Sequence, residues 1–375
     1  MTSRSLPDFP WDSLRPARAR AAEHPGGTVD LSIGTPVDPT PDVLRTALAD
    51  AADAPGYPTA LGTADLRTAA AGWLSRRLGV TLADPLGAVP SVVPTVGSKE
   101  LVALLPTLLG LHGASGPDPG SHPGTVVIPE VAYPTYEVGA VVAGLAVLRS
   151  DTPPADVADP VLVWLNSPGN PHGRVLSPEQ LRAWVAWGRE RGVPVVADEC
   201  YVELGWDVTP TSVLHPSIAG GTHDGLLAVH SLSKQSTAAG YRAGLLSGDP
   251  ALVARVWEAR RHLGLLVPGP VQAAMAAALD DDEHVELARS RYGARRQRLR
   301  AAVEAWGGRV EHSEAGLYLW VTRDEDCWTT VDRLADLGVV VAPGSFYGPA
   351  GERHVRMALT ATDERVDAAV ARLGS

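Results

Sequence analysis

The stretch Ser231-Leu232-Ser233-Lys234-Gln235-Ser236-Thr237-Ala238-Ala239-Gly240-Tyr241-Arg242-Ala243-Gly244 decides how the rest of the chain is read. An apolar run, Leu226-Leu227-Ala228-Val229, leads into it and reads as a buried strand. Ser231, Ser233 and Arg242 are groups that hold a phosphate, since hydroxyls donate and a guanidinium forks onto two oxygens. Lys234 sets a reactive amine beside that anion. An amine next to an anchored phosphate points to a Schiff base with a phosphorylated aldehyde, which means pyridoxal 5'-phosphate. Lys+Arg total 32, yet lysine occurs only at Lys99 and Lys234. Arginine cannot form a Schiff base at ordinary pH, so only these two residues can carry the cofactor covalently.

The bulk properties narrow the setting. A length of 375 residues suggests two domains. The formal charge of -11 argues against a nucleic-acid or anionic-membrane surface. Two cysteines, Cys200 and Cys327, are too few for a disulfide framework and fit a reducing cytoplasm. The first residues lack the apolar core of a signal peptide, and no run is long enough for a membrane span.

Outward from the lysine, short apolar strands alternate with helices. Val93-Pro94-Thr95-Val96-Gly97-Ser98-Lys99-Glu100 reads as a strand, a glycine turn and a helix start, and such an N-terminus favours anions. Thr40-Pro41 predicts a capped helix with proline at its first position, and Thr63 caps another that ends near Gly79. Val126-Val127-Ile128-Pro129, Val161-Leu162-Val163-Trp164-Leu165 and Val193-Pro194-Val195-Val196-Ala197 read as buried strands. Ser177-Pro178-Glu179-Gln180 is a capping box. A surface loop is expected over 112–124. The pattern predicts an α/β fold: three layers, with a mainly parallel sheet covered by helices on both faces. A smaller α+β domain follows. The expected division is an arm with part of the small domain over 1–40, a large cofactor-binding domain over 41–268, and the small domain over 269–375.

Polar groups collect after strand ends, where open α/β sheets bind ligands. Asp198 ends a buried strand, and a buried carboxylate is costly unless paired. It reads as the partner of a pyridinium nitrogen or as a cap or ion pair. Asn166 and Asn170 flank prolines in a loop of the same crevice. Of Tyr133 and Tyr136, Tyr133 is taken as the ring that stacks on the cofactor, although a tyrosine pair is usually core. Arg356 lies in an otherwise apolar strand and needs an anion: a substrate carboxylate or a structural Asp or Glu. Ser231 to Lys234 also matches a Ser-x-x-Lys motif, but neither Ser-Asp-Asn nor Lys-Thr-Gly accompanies it. A Gly-x-Gly-x-x-Gly fingerprint is absent.

Together, Ser-x-Ser-Lys…Arg at Ser231 to Arg242, Asn-x-Pro-x-Asn-Pro-x-Gly at Asn166 to Gly173, and Asp-Glu-x-Tyr at Asp198 to Tyr201 resemble the fold-type I aminotransferases of class I/II. The resemblance spans nearly the whole chain and implies an aspartate-aminotransferase-like fold. It implies that Lys234 is the Schiff-base and proton-transfer lysine and Asp198 the pyridine-nitrogen partner. Asn170 and Tyr201 then bond the ring hydroxyl, and Tyr133 stacks on the ring. Ser231, Ser233, Arg242 and the backbone of Ser98 and Lys99 hold the phosphate. Tyr57 is expected to reach the other subunit's phosphate, which implies a homodimer with shared sites. Arg356 matches the α-carboxylate clamp, with Gly34 in the loop that closes over it. His172 departs from the pattern, where relatives usually carry Thr.

Leu6 to Asp12, Asp30 to Pro39, Pro55 to Pro58, Val229 to Lys234 and Val341 to Pro349 are similar to succinyldiaminopimelate aminotransferases of lysine and diaminopimelate biosynthesis. That similarity implies exchange of an amino group between glutamate and N-succinyl-2-amino-6-ketopimelate, with ping-pong kinetics. The rivals are an aminotransferase of aspartate, alanine or aromatic specificity, and a pyridoxal-phosphate C–S lyase.

Overall fold

The computed structural model describes residues 6, 9–112 and 124–374. The loop read over 112–124 therefore lies, apart from its ends, outside the described residues. Numbered along the chain, the strands are β1 (Val29–Asp30), β2 (Val92–Val96), β3 (Thr125–Ile128), β4 (Ala146–Arg149), β5 (Pro160–Asn166), β6 (Val195–Asp198), β7 (Leu226–Ser231), β8 (Ala243–Gly248), β9 (Arg309–Glu311), β10 (Tyr318–Thr322), β11 (Val339–Val340), β12 (Ala342–Pro343) and β13 (His354–Ala358).

Seven strands form the main sheet in the order β2-β8-β7-β6-β5-β3-β4. Its pairs are parallel except the two that β8 makes, with β2 and with β7. Successive residues of a strand point to opposite faces. Val195, Ala197, Leu226 and Ala228 pack with the helices Ala64–Leu78, Pro178–Arg191 and Gly269–Asp280. Val196, Leu227 and Val229 pack on the other face with Gly97–Leu108, Thr135–Ala143 and Pro250–Leu263. Apolar strands thus require helices on both faces, and the three-layer α/β architecture follows. Each such buried Val or Leu contributes about 1.5–3 kcal/mol.

A second core lies around the antiparallel sheet β12-β13-β10-β9 and the two-stranded parallel pair β1-β11. Leu14, Ala17 and Ala21 of the helical arm, with Val29 and Leu31, are buried in this core. The helices Glu283–Ala305, Cys327–Asp336 and Asp363–Leu373 supply most of its remaining helical side chains. No helix among the described residues is long and apolar enough to cross a membrane.

Local signals explain several boundaries. The Thr63 hydroxyl accepts from Leu66 N–H, and that helix ends at Gly79 in the left-handed conformation. Ser177 and Gln180 form both bonds of a capping box. Thr40 behaves differently from its sequence reading. The helix starts at Asp42 with Pro41 in the cap position, and Thr40 donates instead to the Thr237 carbonyl at 3.0 Å. Its hydroxyl anchors the segment after Lys234 rather than a helix end.

Candidate active site

A cavity of about 420 Å³ opens where β5, β6 and β7 end, walled on its other side by residues of the second core. β7 delivers Ser231, and the chain turns at once into the helical turn Leu232–Gln235. The Ser231 hydroxyl accepts from Ser233 N–H at 3.2 Å, which tightens that turn. Ser231, Ser233 and Lys234 all reach the cavity wall. The Lys234 ammonium donates to the Gly34 carbonyl. Burial lowers the pKa of the Lys234 amine from its ordinary value. Gly34 can be only glycine here, because a Cβ would collide with the Tyr318 ring.

One end of the cavity is built for an anion. The helix Gly97–Leu108 begins there, so Ser98 and Lys99 sit in its first turn on the cavity wall. Gly97 has φ +67, and a Cβ on it would strike the Arg242 guanidinium. Arg242 itself holds φ +56, an uncommon conformation for a non-glycine residue. Its guanidinium donates to the Ala239 carbonyl at 3.0 Å and meets no carboxylate among the described residues. Seryl hydroxyls, a helix N-terminus and an arginine without an acid make up the donor set of a phosphate cradle.

The deep wall carries Asp198 at the end of β6. Tyr136 Oη donates to its Oδ2 at 2.8 Å, and Cys200 N–H to its Oδ1 at 3.2 Å. Burial raises the Asp198 pKa, and the bonds from Cys200 and Tyr136 oppose that rise. Asn166 organises the neighbouring loop. Its amide donates to the carbonyls of Asp198 (2.9 Å) and Pro168 (3.1 Å), and its Oδ1 accepts from Asn170 N–H at 2.7 Å. The Ser167–Pro168 and Asn170–Pro171 peptide bonds in this loop are cis. Tyr201 Oη lies 3.1 Å from Tyr318 Oη. Tyr133 lines the cavity, edge-on to Tyr136 at 5.9 Å between centroids.

Arg356 enters from β13 and is buried. Its guanidinium donates to Asn170 Oδ1 at 3.0 Å and to the Ser32 carbonyl at 2.6 Å. It lies 4.1 Å from the centroid of the Tyr318 ring. Its Nε has no partner, and no Asp or Glu pairs with it among the described residues. The structural ion pair that the sequence allowed is therefore not what holds it. A buried cation bonded only to neutral acceptors is receptive to an incoming carboxylate.

Of the residues singled out from the sequence, Gly34, Ser98, Lys99, Tyr133, Asn170, Asp198, Tyr201, Ser231, Ser233, Lys234, Arg242 and Arg356 line this one cavity. Tyr57 does not. It is 100% exposed on the single chain. His172 is also off the cavity wall: its Nδ1 accepts from Arg174 N–H at 3.1 Å, and burial pushes its pKa down to about 3. Sequence reasoning missed the bond from Tyr136 to Asp198, and it missed Tyr318, Cys200 and the arm residues Phe9, Trp11 and Arg18. Tyr136 was visible as a candidate. The place of the arm on the wall gave no signal, because it depends on contacts far along the chain.

These groups fit pyridoxal 5'-phosphate: an anion cradle that a single Cβ on Gly97 would fill, an amine of lowered pKa, and a buried carboxylate that no cation neutralises among the described residues. The comparisons agree. The family model for aminotransferases of class I and II matches residues 27–373. The chain is 58% identical over 371 residues, 99% of both chains, to OxyQ of Streptomyces rimosus, named a 4-dedimethylamino-4-oxo-anhydrotetracycline transaminase. It is 55% identical over 372 residues, 99% of this chain and 86% of the other, to a Mycobacterium tuberculosis protein named "Probable aminotransferase". A Thermus thermophilus structure named "probable N-succinyldiaminopimelate aminotransferase" is similar with a TM-score of 0.83 at 28% identity, over 98% of this chain and 99% of that one. The chain belongs to the class I and II aminotransferases and depends on pyridoxal 5'-phosphate.

Proposed function

We propose that this aminotransferase exchanges the amino group between glutamate and N-succinyl-2-amino-6-ketopimelate, in lysine and diaminopimelate biosynthesis. The observation that carries the reading is a cavity wall with cations besides the buried Arg356. Arg356 is buried and has no acid partner among the described residues. Arg18 and Lys99 also line the wall; Arg18 lies 3.6 Å from Asp30 Oδ2 and donates to Ser32 Oγ at 3.5 Å. A substrate with a carboxylate beyond the one at Cα finds a further cation on this wall. The sequence stretches shared with succinyldiaminopimelate aminotransferases and the name of the Thermus relative support the same choice. The two free, buried cysteines suit a cytoplasmic setting.

In this reading Lys234 is the attachment residue. When bound, pyridoxal 5'-phosphate supplies an electron sink that acidifies the substrate Cα–H. Lys234 Nζ takes that proton and returns it, and its lowered pKa keeps more of the amine in the accepting form. Asp198 is the partner of the pyridine nitrogen, oriented by Tyr136 and Cys200. Asn170 and Tyr201 serve the ring hydroxyl and Tyr133 the ring face. Ser231, Ser233, Arg242 and the backbone of Ser98 and Lys99 hold the phosphate. Arg356 clamps the α-carboxylate, and the Gly34 loop covers it through the Ser32 carbonyl bond. Tyr57, exposed on one chain, serves the phosphate of the other subunit in a homodimer.

A second reading has its own support. OxyQ is named for a tetracycline ketone, and the cavity wall here carries Phe9 and Trp11 with ring centroids 5.5 Å apart, a surface for a flat polycyclic substrate. Steady-state turnover separates the two. N-succinyl-L,L-diaminopimelate with 2-oxoglutarate is expected to exceed aspartate, alanine, phenylalanine and a 4-oxo-anhydrotetracycline by at least about tenfold in kcat/KM. Preference for the polycyclic ketone would replace the first reading with the second.

A further inference from the structure

The far face of the main sheet carries a buried polar pair directly behind the cavity. Asp198 and Ser231 end the neighbouring parallel strands β6 and β7, and Asp198 bonds Tyr136 on one face. Alternation then sends Glu199 and His230, the residues next to them in the chain, to the opposite face. Side-chain contacts agree: His230 meets the edge of Trp73 at 5.0 Å, in the core layer of the helix Ala64–Leu78. Glu199 Oε2 lies 2.9 Å from His230 Nε2, with side chains 1% and 2% exposed. Glu199 Oε1 accepts from Ser212 Oγ at 3.1 Å and Val213 N–H at 2.7 Å. Neither residue lines the cavity.

We propose that Glu199 and His230 are a positioning pair: from behind the sheet they fix the relative placement of Asp198 and Ser231, and so the seat of the cofactor. The proposal rests on the cofactor roles given above to Asp198 and Ser231. A well-packed apolar pair fills such a layer at least as stably as a buried acid and histidine. What a directed bond adds is one geometry. Glu199 has three donors holding its carboxylate, and one of them stands on the next strand, immediately before Ser231. Without the His230 donor the Glu199 side chain loses its link to β7, and only the main chain, through Glu199 N–H to the Val229 carbonyl at 2.9 Å and the β6–β7 ladder, still sets Asp198 against Ser231. His230 Nδ1 has no partner among the described residues, so the bond at Nε2 and the Trp73 edge hold the ring.

The test uses the full-length enzyme and three readouts: affinity for pyridoxal 5'-phosphate, the visible absorbance maximum of the bound cofactor, and kcat and KM for glutamate with a keto acid other than 2-oxoglutarate. His230→Leu is expected to weaken cofactor binding about tenfold, shift the absorbance maximum and lower kcat with little change in KM. His230→Gln offers an amide N–H to Glu199 and is expected to recover most of that loss. Wild-type affinity, spectrum and kcat in His230→Leu, with only the melting temperature lowered, would overturn the proposal. So would a glutamine variant no better than leucine. If His230→Leu does not fold, Ser212→Ala removes one donor from Glu199 without touching either strand end. It should weaken cofactor binding in the same direction by a smaller factor, and unchanged affinity would overturn the pair's role. Cofactor affinity is read without substrate, so a wrong substrate assignment leaves this test intact. Unchanged affinity in Asp198→Ala and Ser231→Ala would instead remove the roles on which the proposal rests.

Discussion

Tyr136 donates its hydroxyl to Asp198 Oδ2 at 2.8 Å while its ring stacks on Trp164 at 5.0 Å. The stack holds the ring, so the hydroxyl reaches the carboxylate from a fixed place. Asp198 is buried, and burial alone disfavours its charge. Tyr136→Phe keeps the stack and deletes the donor. The expected loss is about 1–3 kcal/mol of stabilisation of the carboxylate, seen as kcat lower by roughly tenfold and weaker cofactor retention. A variant with kcat within about twofold of wild type, less than an ordinary hydrogen bond supplies, would show that the bond is not used.

Lys234 carries a pH signature of its own. Its pKa is lowered in the fold by burial, so the charged amine costs stability. That cost is fully present below the folded pKa and disappears above the unfolded value near 10.4. Cofactor-free Lys234→Met is therefore expected to melt higher than the cofactor-free wild type at neutral pH, with the gap closing as pH rises through the ordinary lysine range. Thermal melts across pH check this. Lys234→Ala should abolish turnover and the covalent link to the cofactor, whereas Lys99→Ala should keep that link, as borohydride trapping would show.

Arg356 is the buried cation whose neighbours are neutral. Arg356→Met should raise KM for amino acids and lower kcat/KM by about 2–5 kcal/mol, roughly 30-fold or more, because a desolvated charge pair with the substrate carboxylate is lost. The visible band of the cofactor should remain. Loss of the band together with activity would place Arg356 in the cofactor seat instead.

Much of the site was legible because its residues sit at element ends that sequence patterns mark. Lys234 and Ser231 follow an apolar strand, Asp198 ends another, and Thr63 and Ser177 cap helices as their spacing implies. Strand β8 was harder to read: Ala243-Gly244-Leu245-Leu246-Ser247-Gly248 contains two glycines and a serine, and its strand state comes from neighbours on both sides. Tyr136 was weighed as a core ring, which it is, and its hydroxyl also bonds the Asp198 carboxylate. Phe9 and Trp11 reach the wall because the arm is pinned by an aromatic chain from Trp11 to Phe346 (5.3 Å) and on to Trp328 (6.0 Å). No local pattern shows a contact across more than 300 residues.

His172 is kept neutral by its surroundings. Burial first, then His312, Arg174 and His354, push its pKa down to about 3. A depressed pKa means stability that is present above the unfolded value near 6.5 and is lost as pH falls toward 3. His172→Thr should flatten that part of the stability curve, measured by denaturant unfolding between pH 6.5 and 3.5. An unchanged slope would mean that the ring is protonated without penalty in the fold.

The most direct measurement is a single half-reaction followed by absorbance. Purified enzyme with bound cofactor and no keto acid is mixed in turn with L-glutamate, N-succinyl-L,L-diaminopimelate, aspartate, alanine and phenylalanine. The account predicts stoichiometric loss of the visible cofactor band with glutamate and with the succinylated compound, and weak loss with the others. A full response to aspartate or phenylalanine with none to the succinylated compound would contradict the proposed substrate while leaving an aminotransferase.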